Sequence, residues 1–128
     1  MTASLRDITL STTVLSSNVS ANNVSFHCVS PNLAFINCNV SLAGVSLPAG
    51  TTMFPALSAL GWSFLSITGE KHFLSSTLLY RITISAGILY IIFESTAAQI
   101  LSENIDVLEH IVLDDALKAN IPNYSLMF

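Results

Sequence analysis

The chain is short of charge. Of its 128 residues only 4 are Lys or Arg and 8 are Asp or Glu, so 9% are charged, where an ordinary globular domain carries about 25%. Four scattered cations cannot track a phosphate backbone, and with a net charge of −4 they argue against a nucleic-acid partner. Long apolar runs are missing as well. Mean hydropathy is +0.66, yet the longest run, Ile82 to Phe93, covers about twelve residues, where a bilayer span needs about 20. Membrane insertion is therefore not expected. Disorder is excluded from the other side, because 52% of the residues are apolar and can bury a core.

The motifs of chemistry are also absent. The 3 histidines and 2 cysteines form no Cys-x-x-Cys and no His-x-x-x-His, so neither a metal nor a cofactor is expected. His27 and Cys28 are neighbours, which on a strand sends them to opposite faces. No Gly-x-Ser-x-Gly elbow occurs among the 18 serines, and the 5 glycines stand singly, so none builds a phosphate loop. His72 and His110 belong to no paired-histidine motif. Asp114 and Asp115 read as a helix cap with a solvated neighbour, and Trp62 as a core anchor. An enzyme is not expected, and no catalytic, cofactor or metal residue is assigned. Met1 to Asp7 lacks the basic and apolar regions of a secretory signal. The chain is expected to act where it is made or to leave the cell by lysis.

What is present is strand grammar. No Asp, Glu, Lys or Arg occurs between Ile8 and Gly69, and this half alternates aliphatic residues with Ser, Thr and Asn, the mixture that suits a half-buried pleat. Val24–Val29 and Leu33–Leu42 predict a hairpin with a three-residue loop, Ser30–Asn32, that places Val24, Phe26 and Cys28 opposite Cys38, Ile36 and Ala34. Cys28 then lies about 13 Å from Cys38 along the pleat, too far for a disulfide, so two buried, unbridged thiols are expected. Short strands are expected at Val45–Leu47, Thr51–Phe54 and Trp62–Ile67, with Pro55 and Gly61 in the loop before the last. A second hairpin turns at Ser85–Gly87. Its return strand, Ile88–Phe93, has no polar position, so both of its faces are expected to be covered, one by the core and one by a partner subunit. A helical turn is expected near 97–104, a strand near 106–113, and a short helix over 115–120 capped by Asp114.

The strand Leu33–Leu42, the segment Leu47-Pro48-Ala49-Gly50-Thr51-Thr52, the Gly61-Trp62 loop and the stretch Ile82-Thr-Ile-Ser-Ala-Gly-Ile-Leu-Tyr-Ile91 together resemble the β-sandwich heads of bacteriophage receptor-binding, baseplate and tail-fibre proteins. The resemblance covers residues 33–93. It departs from the family pattern at Gly61-Trp62-Ser63-Phe64, where a Gly-x-Arg-Pro is usual. It implies a homotrimer in a virion, with other virion proteins and a host-surface glycan or protein as partners, and it transfers no receptor-binding residue.

The expectation is an all-β, jelly-roll-like antiparallel sandwich, with an N-terminal arm over 1–22, a sandwich domain over 23–128 and a short C-terminal helix. The expected function is a structural virion component of the tail, fibre or capsid-decorating kind. A monomeric carbohydrate- or ligand-binding sandwich is the alternative.

Overall fold

The computed structural model describes residues 7–9, 12–59, 66–121 and 124–127. Its elements are β1 (Asp7–Thr9), β2 (Thr12–Val14), β3 (Val19–Ser30), β4 (Leu33–Leu47), β5 (Gly50–Ala59), β6 (Ser66–Thr68), β7 (His72–Ser75), β8 (Leu78–Ser85), β9 (Ile88–Ser95), β10 (Gln99–Val112), α1 (Asp115–Asn120) and a 3-10 turn, Tyr124–Leu126. Sheet A runs β1-β3-β4-β10, and sheet B runs β2-β5-β9-β8-β6 with β7 also on β8. Every pairing is antiparallel. The inner faces of the two sheets close over one buried cluster that joins Phe26, Ile36 and Val40 of sheet A to Ile82, Leu89, Ile91 and Phe93 of sheet B. This is the all-β antiparallel sandwich with a short C-terminal helix that the sequence implies.

The first hairpin keeps its expected pairing in the middle, with Phe26 opposite Ile36 and Cys28 opposite Ala34, but both ends differ from expectation. The loop is two residues, Pro31–Asn32, because Ser30 pairs with Leu33 and Val29 is squeezed out as a bulge. Adding one bulged residue and removing one loop residue leaves the central register unchanged. At the other end Asn23 and Val24 together oppose Cys38. Asn23 takes the left-handed conformation, φ 57, which Asn tolerates better than most residues. The insertion turns Val24, Phe26 and Cys28 inward on one side of it and Val19 inward on the other.

β4 uses the same device. The expected break after Gly44 is a bulge inside a continuous strand. Ala43 and Gly44 oppose Ser102, Gly44 has φ +67, and its N–H donates to Ser102 Oγ at 2.9 Å. The inward set passes from Cys38, Val40 and Leu42 to Val45 and Leu47. β5 likewise runs through Pro55 where a loop was expected, with Ala56 bulged opposite β9. Proline is tolerated there because an irregular ladder needs one N–H fewer.

The largest correction is at residues 97–104, where no helix forms. Gln99–Val112 is one strand paired with β4. The spacing of Leu101, Ile105, Leu108 and Val112 fits a helix, but the open edge of β4 presents a row of unmet N–H and C=O groups, and a paired strand satisfies them all. Leu108 and Val112 are left 65% and 72% exposed as a result. The helix α1 forms as expected, with Asp114 accepting from Leu117 N at 2.8 Å. Its Lys118 Nζ donates to Asn32 Oδ1 at 2.8 Å and the Tyr124 hydroxyl donates to Pro31 O, so the C-terminus is tied to the first hairpin.

The second hairpin turns on Ala86–Gly87, with φ 52 and φ 80, the paired positive values of a type I′ turn. Alanine is strained there. Ala86→Asn is expected to raise stability by about 1 kcal/mol. Gly44→Ala meets only Asn18 Nδ2 at 3.9 Å, so its expected loss of about 1–2 kcal/mol is purely conformational. Thermal denaturation of both variants measures the two signs.

Candidate functional site

The residues that the sequence singles out for chemistry stay apart. His27 and His110 face Phe35 from its two neighbouring strands on the outer face of sheet A, and the rings of Phe35 and His110 meet edge-on at 6.3 Å. His72 lies at the margin of sheet B, tilted over Tyr80 at 5.4 Å. Cys28 and Cys38 are buried and neither forms a disulfide. Burial pushes the Cys38 thiol up to about 12, which leaves no thiolate for nucleophilic attack. Asp114 caps α1 and the Asp115 side chain is fully solvated. Trp62 lies outside the described residues. Among the described residues no cluster of His, Cys, Asp and Glu could hold a metal ion, and no helix is long and apolar enough to cross a membrane.

One titratable group that belongs to no motif does occupy a cleft. β10 is the margin of sheet A and β7 lies at the margin of sheet B. Between them opens a cavity of about 190 Å³ lined by His72, Tyr80, Ile82 and residues 106–109. Glu109 pairs with Ile36 and so falls on the inward side of β10. Gly69 makes room for it, since a Cβ at that position would overlap the Glu109 carboxylate. Partial burial pushes the Glu109 carboxyl above its ordinary range, His72 and His110 pull it back, and Glu70 adds to the rise. Burial, then Glu109, then Asp106 raise the Tyr80 phenol. No hydrogen bond joins Glu109, His72 and Tyr80 among the described residues, so the cleft holds an acid but no assembled nucleophile and base. The signal for Glu109 was in the sequence, as an acid on the apolar side of the alternation Val107, Glu109, Ile111.

The two outer faces differ in chemistry. On sheet A, the Asn39 amide donates to Asp106 Oδ1 at 2.6 Å and the Ser41 hydroxyl donates to Asn104, a patch of amides and hydroxyls flanked along β10 by exposed Ile100, Leu108 and Val112. On sheet B, cross-strand partners share a face, so the registers set Met53, Ile92 and Arg81 in one row, Pro55, Tyr90 and Thr83 in the next, and Thr51, Glu94 and Leu79 in a third. Met53 is 54% exposed, and Phe73, beside Leu79, is 77% exposed. Arg81, Tyr90 and Ile92 are half-buried. The strand Ile88–Phe93, expected to be covered on both sides, is thus buried on one face within the chain and open on the other.

The fold defines the class, a two-sheet antiparallel β-sandwich whose outer faces both mix polar and exposed apolar side chains. No family model matches the chain, and no curated protein or solved structure matches it either.

A raised carboxyl favours the protonated native state. Its cost to stability is present above the folded pKa and disappears as pH falls through that value toward the ordinary glutamate range, about 4.3. Glu109→Gln is therefore expected to raise the melting temperature at pH 7.5, with the gain vanishing near pH 4, as read from parallel thermal scans.

Proposed function

We propose that the chain is a structural building block that assembles with copies of itself, a bacteriophage virion component of the tail, fibre or capsid-decorating kind. The observation that carries self-assembly is the open face of sheet B, where Met53 and Phe73 stand exposed beside half-buried Leu79, Tyr90 and Ile92. A monomer has little reason to keep large apolar side chains together on one sheet face. The virion assignment rests on the resemblance of residues 33–93 and on strands coated with hydroxyls and amides in place of charge. Other virion proteins and a host-surface glycan or protein are the further partners this reading implies.

A second reading, a carbohydrate- or ligand-binding module, is favoured by the outer face of sheet A, where Asn37 lies in the row next to Phe35 and its two histidines and the Asn39–Asp106 pair follows in the row beyond. Aromatic rings beside amides suit a sugar.

The two readings separate by mass. Light scattering at micromolar concentration is expected to give a multiple of 13.7 kDa. A single-chain mass, together with thermal stabilisation by a glycan, would replace the first reading with the second.

A further inference from the structure

Near the middle of the open face of sheet B sits an unmatched charge. Arg81 is half-buried, and among the described residues it takes part in no ion pair or hydrogen bond. Arg81 faces Ile92 and Leu79 faces Glu94 in the register of β8 with β9, so the four side chains form a rectangle on the outer face. Arg81 and Glu94 occupy opposite corners, about 7–8 Å apart. Leu79 and Ile92 occupy the other two.

We propose that this face is covered by a second copy of the chain, packed face to face about a two-fold axis that runs roughly along the Leu79–Ile92 diagonal. That operation exchanges the other two corners. Arg81 of each protomer meets the partner's Glu94, while Leu79 and Ile92 meet their own counterparts across the axis. The inference rests on the self-assembly reading and names its contact. Two observations favour a second copy over a foreign partner. The patch is complementary to itself in charge, since it carries one carboxylate and one unpaired guanidinium at positions a single two-fold interchanges. Its area also suffices. β9 has 8 residues, about 27 Å of strand, and four adjacent strands span about 19 Å. Each copy therefore offers about 500 Å², and a pair buries about 1,000 Å², the size at which specific association begins. Met53 and Phe73 widen the apolar contact, and Lys71, which bonds Glu94 at 3.3 Å, stays exposed at the rim.

Pairing by strand edges is the weaker route. Glu103 and Glu109 lie on the inward side of the margin strand β10, opposite Leu42 and Ile36, and inward-pointing charge on an edge strand opposes edge-to-edge addition. A three-fold ring, which the family resemblance implies, joins unlike surfaces and would not bring each Arg81 to the Glu94 of the same neighbour.

Sedimentation velocity on the full chain tests the contact, using the unaltered protein, Arg81→Glu, Glu94→Arg, the double variant and Met53→Lys, with circular dichroism to confirm that each is folded. The expected result is a two-chain mass at micromolar concentration. Each single charge reversal and Met53→Lys weaken association by about 30-fold or more, and the double reversal restores it to within a few-fold. Because Met53 is 54% exposed, its substitution reads the interface without disturbing the core. A trimeric mass, a multi-chain mass insensitive to these substitutions, or a double variant as weak as the singles overturns the two-fold contact and leaves self-assembly standing. A single-chain mass throughout overturns both.

Discussion

The strand β4 is the constraint on which the molecule depends. It is fifteen residues long, bonded to β3 along one edge and β10 along the other, and its inward side chains include Ala34, Ile36 and Val40, all fully buried. A strand with two ladders cannot slip by one residue without turning its whole apolar set to solvent. The bulges at Asn23, Val29 and Gly44 answer that constraint, each inserting a residue where the chain's alternation would otherwise fall out of phase with its partner. Gly44 and Asn23 are there because both sites require a positive φ, which those two residue types supply at low cost.

With so few ionisable groups, the surface has to be finished by other means, and the two sheets do it differently. Sheet A lays down Asn, Ser and Asp, which bond one another across strands, between the exposed Ile100, Leu108 and Val112 of β10. Sheet B presents Met53, Phe73, Leu79, Tyr90 and Ile92 around Arg81 and Glu94, with Thr51 and Thr83 beside them. A charge deficit in this protein is therefore a statement about association as well as solvation. Both outer faces keep exposed apolar side chains, and the one on sheet B is proposed to be completed by a copy of itself. The few acids that do enter the sheets have work to do at the margin of sheet A, where Glu103 and Glu109 sit on the inward side of the edge strand and disfavour the addition of another.

Much of this was legible in the order of residues. Alternation located β3, β4, β8 and β9, and parity placed Phe26 on Ile36 and Cys28 on Ala34, because a strand's side-chain period is a local property. Asp114 and the helix it caps were readable for the same reason, since a capping bond spans three residues. The unbridged cysteines followed from register alone. Residues 97–104 were not legible locally, because the apolar spacing of Leu101, Ile105, Leu108 and Val112 fits a helix while Val107, Glu109, Ile111 and Leu113 fit a strand. The choice was made by the open edge of β4, a partner more than fifty residues away in sequence. Glu109 belongs to no local motif, because its setting comes from Gly69 and His72, which the folding of sheet B brings to it.

Taken alone, composition and alternation determined that this is an all-β chain with a hydroxyl-rich first half, two tight hairpins, buried thiols and a capped C-terminal helix, since each depends on a few neighbouring residues. Tertiary structure alone decided which strands share a sheet, where the bulges fall, and that Arg81 is left without a counter-ion among the described residues on the outer face of sheet B. Those outcomes depend on hydrogen-bond partners and side-chain neighbours that only the closing of the two sheets brings together.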